Sequence, residues 1–365
     1  LFRFLHGADF HLDSPFTALS REQAASRRAW IRALPDRLAE YVRAQGVELV
    51  LLAGDLLDTG SCYRETAEAL RRGLERMAVP VFIAPGNHDW YGAESPYAAE
   101  DWPENVHIFR TGAVESVELP ALNAVVHGAA FTAPEQETSL LRGFSAPADG
   151  RVHLMVLHGE VNAAEARYDP LTKEEIAASG LAYLALGHIH KRTEPLRLGG
   201  TLCAWPGCPE GRGFDELGDR GVYLGRADDS GAVSLRFAPF ARHRYEILRV
   251  DVTDRTPLEA VEAALPQGTE DDLYRIILEG STGEAGVDLT ALGEALSGRF
   301  CALELRDETR IREELWARAG EDSLRGLFLG ELREKLEAAG TDGERELIRR
   351  AAGFGLAALD HRDLG

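Results

Sequence analysis

The chain has 365 residues, a formal net charge of −20 and 27% charged residues, so it exceeds one ordinary domain and predicts a large catalytic unit with smaller additions. No apolar run is long enough to span a bilayer and no basic-then-apolar leader opens the chain, which points to a cytoplasmic protein with no membrane partner. Cys62, Cys203, Cys208 and Cys301 are few and irregularly spaced, which excludes a disulfide framework; they read as reduced thiols, because Cys203 with Cys208 lacks the second pair a zinc site requires.

Residues 1 to about 200 alternate apolar, strand-like runs with amphipathic helical stretches. Phe2 to Leu5 is the first strand and leads to Asp9-Phe10-His11; a helical stretch covers Arg21 to Ala44. Leu49 to Ala53 leads to Gly54-Asp55-Leu56-Leu57-Asp58, and Arg64 to Met77 is helical again. Val81 to Ala84 precedes Gly86-Asn87-His88-Asp89, Leu154 to Leu157 precedes His158-Gly159, and Leu181 to Leu186 precedes Gly187-His188-Ile189-His190. These runs are apolar almost throughout, as expected of strands covered on both faces. Between 196 and 240, Gly-rich turns separate hairpin-like runs, Gly221 to Leu224 and Val233 to Phe237, which read as part of a second sheet.

The stretch 245–306 has a β-α-β-α-β rhythm. Tyr245 to Val252, Leu273 to Leu278 and Cys301 to Leu305 are its strands; Thr256 caps a helix with Pro257 at its first position, and Leu289 to Leu296 is a second helix. From Asp307 the chain is charged and helical, with apolar faces at Leu324, Leu327, Phe328 and Leu332 and at Leu347, Ile348, Ala351 and Leu356. The predicted divisions are therefore 1–244, 245–306 and 307–365.

The chemistry lies in the five clusters. Residues i and i+2 of an extended segment point to one face, so Asp9 with His11 and His188 with His190 each present two ligands to one side. Taken singly, D-x-H or H-G is as well explained by a hydrogen-bonded structural histidine, and G-D-x-x-D by a turn before a helix cap. Five such clusters in order, each at a strand end, gather carboxylate, imidazole and amide groups without a thiolate. That set suits two divalent cations and phosphoester hydrolysis.

The order D-x-H, G-D-x-x-D, G-N-H-D, H-G, G-H-x-H resembles the calcineurin-like metallophosphoesterases. The segments Tyr183 to His190 and Trp205 to Glu216 resemble the DNA repair exonuclease branch, which is SbcD-like, and the start from His11 to Phe16 makes YhaO-like proteins the nearer match. The resemblance implies an α/β fold: a two-sheet metallophosphoesterase sandwich flanked by helices, a smaller α+β capping domain at 245–306, and C-terminal helices that dock a partner or pack on the capping domain. It implies that Asp9, His11, Asp55 and His190 hold one metal and that Asp55, Asn87, His158 and His188 hold the other, with Asp55 bridging. His88 would be the catalytic histidine at the leaving oxygen. Asp58 would orient it, its carboxylate accepting an N–H bond from His88. Mn²⁺ is the implied metal, and the ligand types also admit Fe²⁺ or Zn²⁺.

The implied activity is hydrolysis of DNA phosphodiester bonds by in-line attack of a metal-bridging hydroxide, in the nuclease subunit of an SbcCD-like DNA repair complex. The implied partners are DNA and an SbcC-like or YhaN-like coiled-coil ABC-type ATPase, with a homodimer also admitted. Two positions depart from protein phosphatases of the wider family, Thr59 in place of Arg and Asp89 in place of Glu, and Ala182 replaces an acidic residue common in the exonuclease branch. The charge of −20 opposes duplex binding, which draws on Lys and Arg at phosphates, so a partner is expected to carry much of the DNA affinity. The alternatives are a small-molecule phosphodiesterase, acting on a cyclic nucleotide or a nucleotide-linked metabolite, and an assembly subunit of an ATPase complex.

Overall fold

The structure, a computed structural model, describes residues 1–16, 21–58, 62–99, 101–161, 167–282, 286–311, 316 and 319–359. Thr59 and the end of the C-terminal region, 360–365, lie outside the described residues.

Two six-stranded sheets make the larger part of the molecule. The first runs β14 (Val233–Pro239), β13 (Gly221–Ala227), β1 (Phe2–Gly7), β2 (Leu49–Leu52), β3 (Val81–Ile83), β4 (Val106–Ile108). The second runs β11 (Leu196–Leu198), β12 (Thr201–Ala204), β10 (Tyr183–Gly187), β7 (Val152–His158), β6 (Ala124–Gly128), β5 (Glu115–Leu119). In the first, β1 to β4 are parallel and β13 pairs antiparallel to β1; in the second, β6, β7, β10 and β12 are parallel. Parallel strands need cover on both faces. Phe4, Leu51 and Phe82 of the first sheet bury against Val126, Leu154 and Tyr183 of the second. The other face of the first sheet carries α1 (Arg21–Arg32), α2 (Leu34–Gln45) and α3 (Arg64–Met77), and the other face of the second packs around Phe131, Leu141 and Ile176 of α5 (Lys173–Ala178).

Buried His6 straps the sheets together. Its Nδ1 lies 2.7 Å from the Tyr183 hydroxyl and its Nε2 3.2 Å from the Leu186 carbonyl, and burial pulls its pKa down to about 3, so it serves the core as a neutral ring.

Two expectations are corrected. The helical stretch from Arg21 to Ala44 is two helices, because Pro35 lacks an N–H and its ring would collide with the carbonyl four residues back; the second helix restarts at Leu34. The hairpin of β13 and β14 joins the first sheet rather than the second, completing the open side of β1 from Phe2↔Ala227 to His6↔Tyr223.

Short elements complete this part: α4 (Pro96–Ala99) and the parallel pair β8 (Glu160–Val161) and β9 (Pro170–Leu171). The chain divides into two compact units, 1–247 with 268–274 and 300–302, and 248–267 with 275–299 and 303–365. Beyond the sandwich, β15 (Tyr245–Asp251), β16 (Leu273–Glu279) and β18 (Ala302–Asp307) form a three-stranded sheet with β16 central, and β17 (Ser281–Thr282) pairs with β19 (Arg310–Ile311). α6 (Pro257–Ala264) starts with a reciprocal cap between Thr256 and Glu259, and α7 (Leu289–Ala295) is capped by Asp288. Ile276, Leu278, Val261, Leu292 and Leu296 bury in the second unit. In the same unit α8 (Leu324–Ala338) and α9 (Asp342–Leu359) pair through Leu329, Ala352 and Leu356, with Phe328 and Leu332 partly buried beside them. Among the described residues no helix is long and apolar enough to cross a membrane.

Candidate metal centre

The loops after β1, β2, β3, β7 and β10 meet at one edge, the carboxyl ends of the parallel strands. Backbone bonds fasten the first two loops together, Asp9 N to the Gly54 carbonyl at 3.0 Å and His11 N to the Asp55 carbonyl at 2.9 Å. Asp89 fastens the second to the third. Its Oδ1 accepts from the N–H groups of Gly86 at 2.8 Å and Asp55 at 3.1 Å, and its Oδ2 from Leu56 N at 2.7 Å, Leu57 N at 3.3 Å and the Tyr97 hydroxyl at 2.6 Å. Gly86 admits no side chain, since a Cβ there would come within 2.8 Å of the His158 ring and press on the Asp55 carboxylate. These bonds hold several candidate ligands in the left-handed region that L side chains avoid: φ is 55° at Asp9, 45° at His11, 51° at Asp55 and 90° at His188.

Two groups of ligand atoms result, Asp9 with His11 and His190, and Asp55 with His158 and His188, the atoms of each lying within 4.8 Å of one another. Asn87 joins the second, its Oδ1 2.9 Å from His158 Nε2 and 3.2 Å from His188 Nδ1. Asp55 Oδ2 lies between the groups, 3.7 Å from His11 Nε2 and 3.3 Å from His158 Nε2. All seven sequence-expected ligands are thus brought together.

Hydrogen bonds behind the rings set their tautomers. His11 Nδ1 meets the Asp58 carboxylate at 2.9 Å, His190 Nδ1 meets Glu216 Oε1 at 2.8 Å and His158 Nδ1 meets the Ala53 carbonyl at 2.8 Å. Each acceptor calls for an N–H at Nδ1, which leaves a lone pair on Nε2. Yet the Nε2 atoms of His11 and His190 face each other at 3.0 Å, and His158 Nε2 faces the Asn87 oxygen at 2.9 Å. Lone pairs this close repel unless a cation lies among them.

The carboxylates tell the same story. Asp9 Oδ1 accepts the His188 N–H at 2.9 Å, while Asp9 Oδ2 is buried with no hydrogen-bond partner. Burial pushes the Asp9 carboxyl up to about 6. Burial pulls His158 down, but Asp55 and Asp9 outweigh it and raise the imidazole to about 9. Burial would raise Asp55 too, but His158 and His11 hold it well below the usual carboxylate range. Desolvated negative charge with an orphaned oxygen is what a bound cation satisfies, so the residues fit two divalent ions.

His88 sits at the rim with its side chain 43% exposed; its backbone N–H donates to Asp55 Oδ1 at 2.9 Å. Here an expectation is corrected: His88 Nδ1 donates at 2.7 Å to the backbone carbonyl of Asp58, and the Asp58 carboxylate, 3.8 Å from that nitrogen, is bonded instead to His11. The sequence reading also missed Glu216 and Arg212, which back His190. Their signal was the Trp205 to Glu216 segment, which carried the family resemblance without a role for any side chain.

Comparison with known proteins agrees with this geometry. The family model described as calcineurin-like phosphoesterase matches residues 2–192. The chain is 31% identical over 290 residues to the uncharacterized metallophosphoesterase YhaO of Bacillus subtilis (strain 168), covering 76% of this chain and 69% of that protein. It is 23% identical over 346 residues to the DNA double-strand break repair protein Mre11 of Methanopyrus kandleri, covering 86% and 72%, respectively. It is 27% identical over 322 residues to the SbcD component of nuclease SbcCD of Rhodobacter capsulatus, covering 72% and 75%.

Proposed function

This chain belongs to the calcineurin-like phosphoesterases, and from that premise we propose that it is a dinuclear phosphodiesterase cutting DNA, the nuclease subunit of a complex with a coiled-coil ATPase. The observation that carries the reading is the pair of ligand groups with Asp55 Oδ2 between them and the buried, unpartnered Asp9 Oδ2. Asp9, His11, Asp55 and His190 would hold one cation and Asp55, Asn87, His158 and His188 the other, with Mn²⁺ the metal. Held there, the cations would polarise the phosphoester and make an attacking water acidic enough to lose its proton near neutral pH.

The chain's own residues supply the rest. His88, its Nδ1–H committed to the Asp58 carbonyl, turns Nε2 to the leaving oxygen and donates a proton as that oxygen departs. Asp58 fixes two rings at once, His88 by its carbonyl and His11 by its carboxylate. DNA as substrate is supported by the similarity to Mre11 and to the SbcD component of SbcCD, and the ATPase partner by the second of these. The apolar side chains left exposed on α8 and α9, Leu324, Leu327, Leu347 and Phe354, supply a surface for that partner.

The purified protein with Mn²⁺, assayed on labelled duplex DNA, single-stranded DNA and cyclic nucleotides, tests the reading. DNA is expected to be cut and cyclic nucleotides spared. Rapid turnover of a cyclic nucleotide beside intact DNA would reject the nuclease and favour a small-molecule phosphodiesterase.

A further inference from the structure

Behind the metal centre one guanidinium joins two otherwise separate carboxylate–histidine pairs. Arg212 lies in the loop that follows β12, and the loop is well anchored: Arg27 Nη2 donates to the Gly211 carbonyl at 2.9 Å, the Tyr245 hydroxyl to the Arg212 carbonyl at 3.1 Å, and Phe214 packs edge-on to the Tyr245 ring at 5.0 Å. From that fixed backbone the guanidinium, 20% exposed, reaches in two directions. Nη2 donates to Glu216 Oε1 at 2.8 Å and lies 2.9 Å from His190 Nδ1; Nη1 lies 3.6 Å from Asp58 Oδ1 and 3.3 Å from the Ser14 hydroxyl. The backbone N–H of Arg212 also donates to Glu216 Oε2 at 2.8 Å.

Each of the two carboxylates accepts from the Nδ1 of one histidine, Glu216 from His190 and Asp58 from His11, and the Nε2 atoms of those rings converge at 3.0 Å. Glu216 and Asp58 are nearly buried, with side chains 4% and 13% exposed, so their charges repel through a poorly screened medium unless a cation lies between them. A planar fork bonds to both sides at fixed angles, which an ammonium does not. At the second ligand group, His158 is held by the Ala53 backbone carbonyl, and no contact of Arg212 reaches it.

We propose that Arg212 is a positioning residue of the metal centre: by bridging Asp58 and Glu216 it locks His11 and His190 into a single ligand unit, so that its loss weakens one of the two cation positions and spares the other. The inference rests on the dinuclear reading above. Equilibrium dialysis against Mn²⁺, with bound metal counted by mass spectrometry, tests it without an activity assay. Arg212→Gln is expected to keep one equivalent at wild-type affinity and to bind the other 10- to 100-fold more weakly, roughly the range for lost outer partners of metal ligands. Arg212→Lys, which keeps charge but not the fork, is expected to recover only part of that loss. Glu216→Gln weakens the same equivalent, and the double variant loses less than the sum of the two, since the pair acts together.

Two equivalents at wild-type affinity in Arg212→Gln would overturn the inference and leave the dinuclear reading standing. Wild-type protein that binds no Mn²⁺ would sink that reading itself. Both equivalents kept, with KM for a small phosphodiester raised at saturating Mn²⁺, would make Arg212 a substrate contact and overturn the positioning role. If Arg212→Gln does not fold, Arg212→Lys and Glu216→Gln decide by the same measurement.

Discussion

The strand-end edge and the α8–α9 pair break the ordinary rule of burial in opposite senses. At the edge, charged and polar side chains are the buried ones: Asp9, His11, Asp55, Asp89 and His158 are all 1% exposed or less. On the helices, large apolar side chains face water, with Leu324 72% and Leu327 69% exposed. A lone exposed leucine means little, but several together, like a buried carboxylate without a partner, mark a surface that awaits something. The difference lies in what would complete each: cations at the edge, a protein at the helices.

The most severe test of the edge is Asp55→Asn, because Asp55 alone lies between the two ligand groups. Hydrolysis should vanish and Mn²⁺ content should drop, measured together by turnover and metal analysis; full metal and full activity would dissolve the contrast. Next in size, His88→Gln should keep both metals and lower turnover by roughly a hundred- to ten-thousand-fold, the range for a lost general acid. Loss of metal would make His88 a ligand instead.

Asp89→Ala removes an acceptor of five bonds at a site that no metal need touch, so it should cost about 3 kcal/mol in chemical denaturation, as several buried donors lose their partner. Smallest of all on fold and chemistry, Leu324→Glu and Leu327→Glu should change stability by less than about 0.5 kcal/mol, as is usual for surface positions, and leave turnover of a chromogenic phosphodiester unchanged. They should nevertheless abolish co-purification with the ATPase. Retained binding would move the partner surface elsewhere. Phe328 is no equivalent probe, because it packs on Gly355 inside the helix pair.

What was legible in the sequence was local. Asp9 and His11, or His188 and His190, advertise themselves because an apolar run and a glycine lie beside them in the chain, and Thr256-Pro257 is a helix start by composition alone. The partnerships of Asp58 were not legible: His11 and His88 are both within its reach, and only the bond of Asp58 N to the Leu12 carbonyl at 2.9 Å shows how its loop is held. Glu216 stands 26 positions after His190, with no periodicity linking them. The hairpin was placed in the wrong sheet for a related reason, since alternation reveals a strand but not which open edge it will complete. Pro35, by contrast, was a legible helix boundary that the amphipathic pattern around it concealed.

The left-handed backbone at Asp9, His11, Asp55 and His188 bears on how this enzyme can be engineered. Each such residue carries a conformational cost of roughly 1–3 kcal/mol that glycine would not. A laboratory selection that rewards heat resistance alone would therefore enrich glycine at these four sites and return a sturdier, inert protein. Any programme to stabilise this enzyme has to score turnover in every round, or hold those four codons fixed from the start.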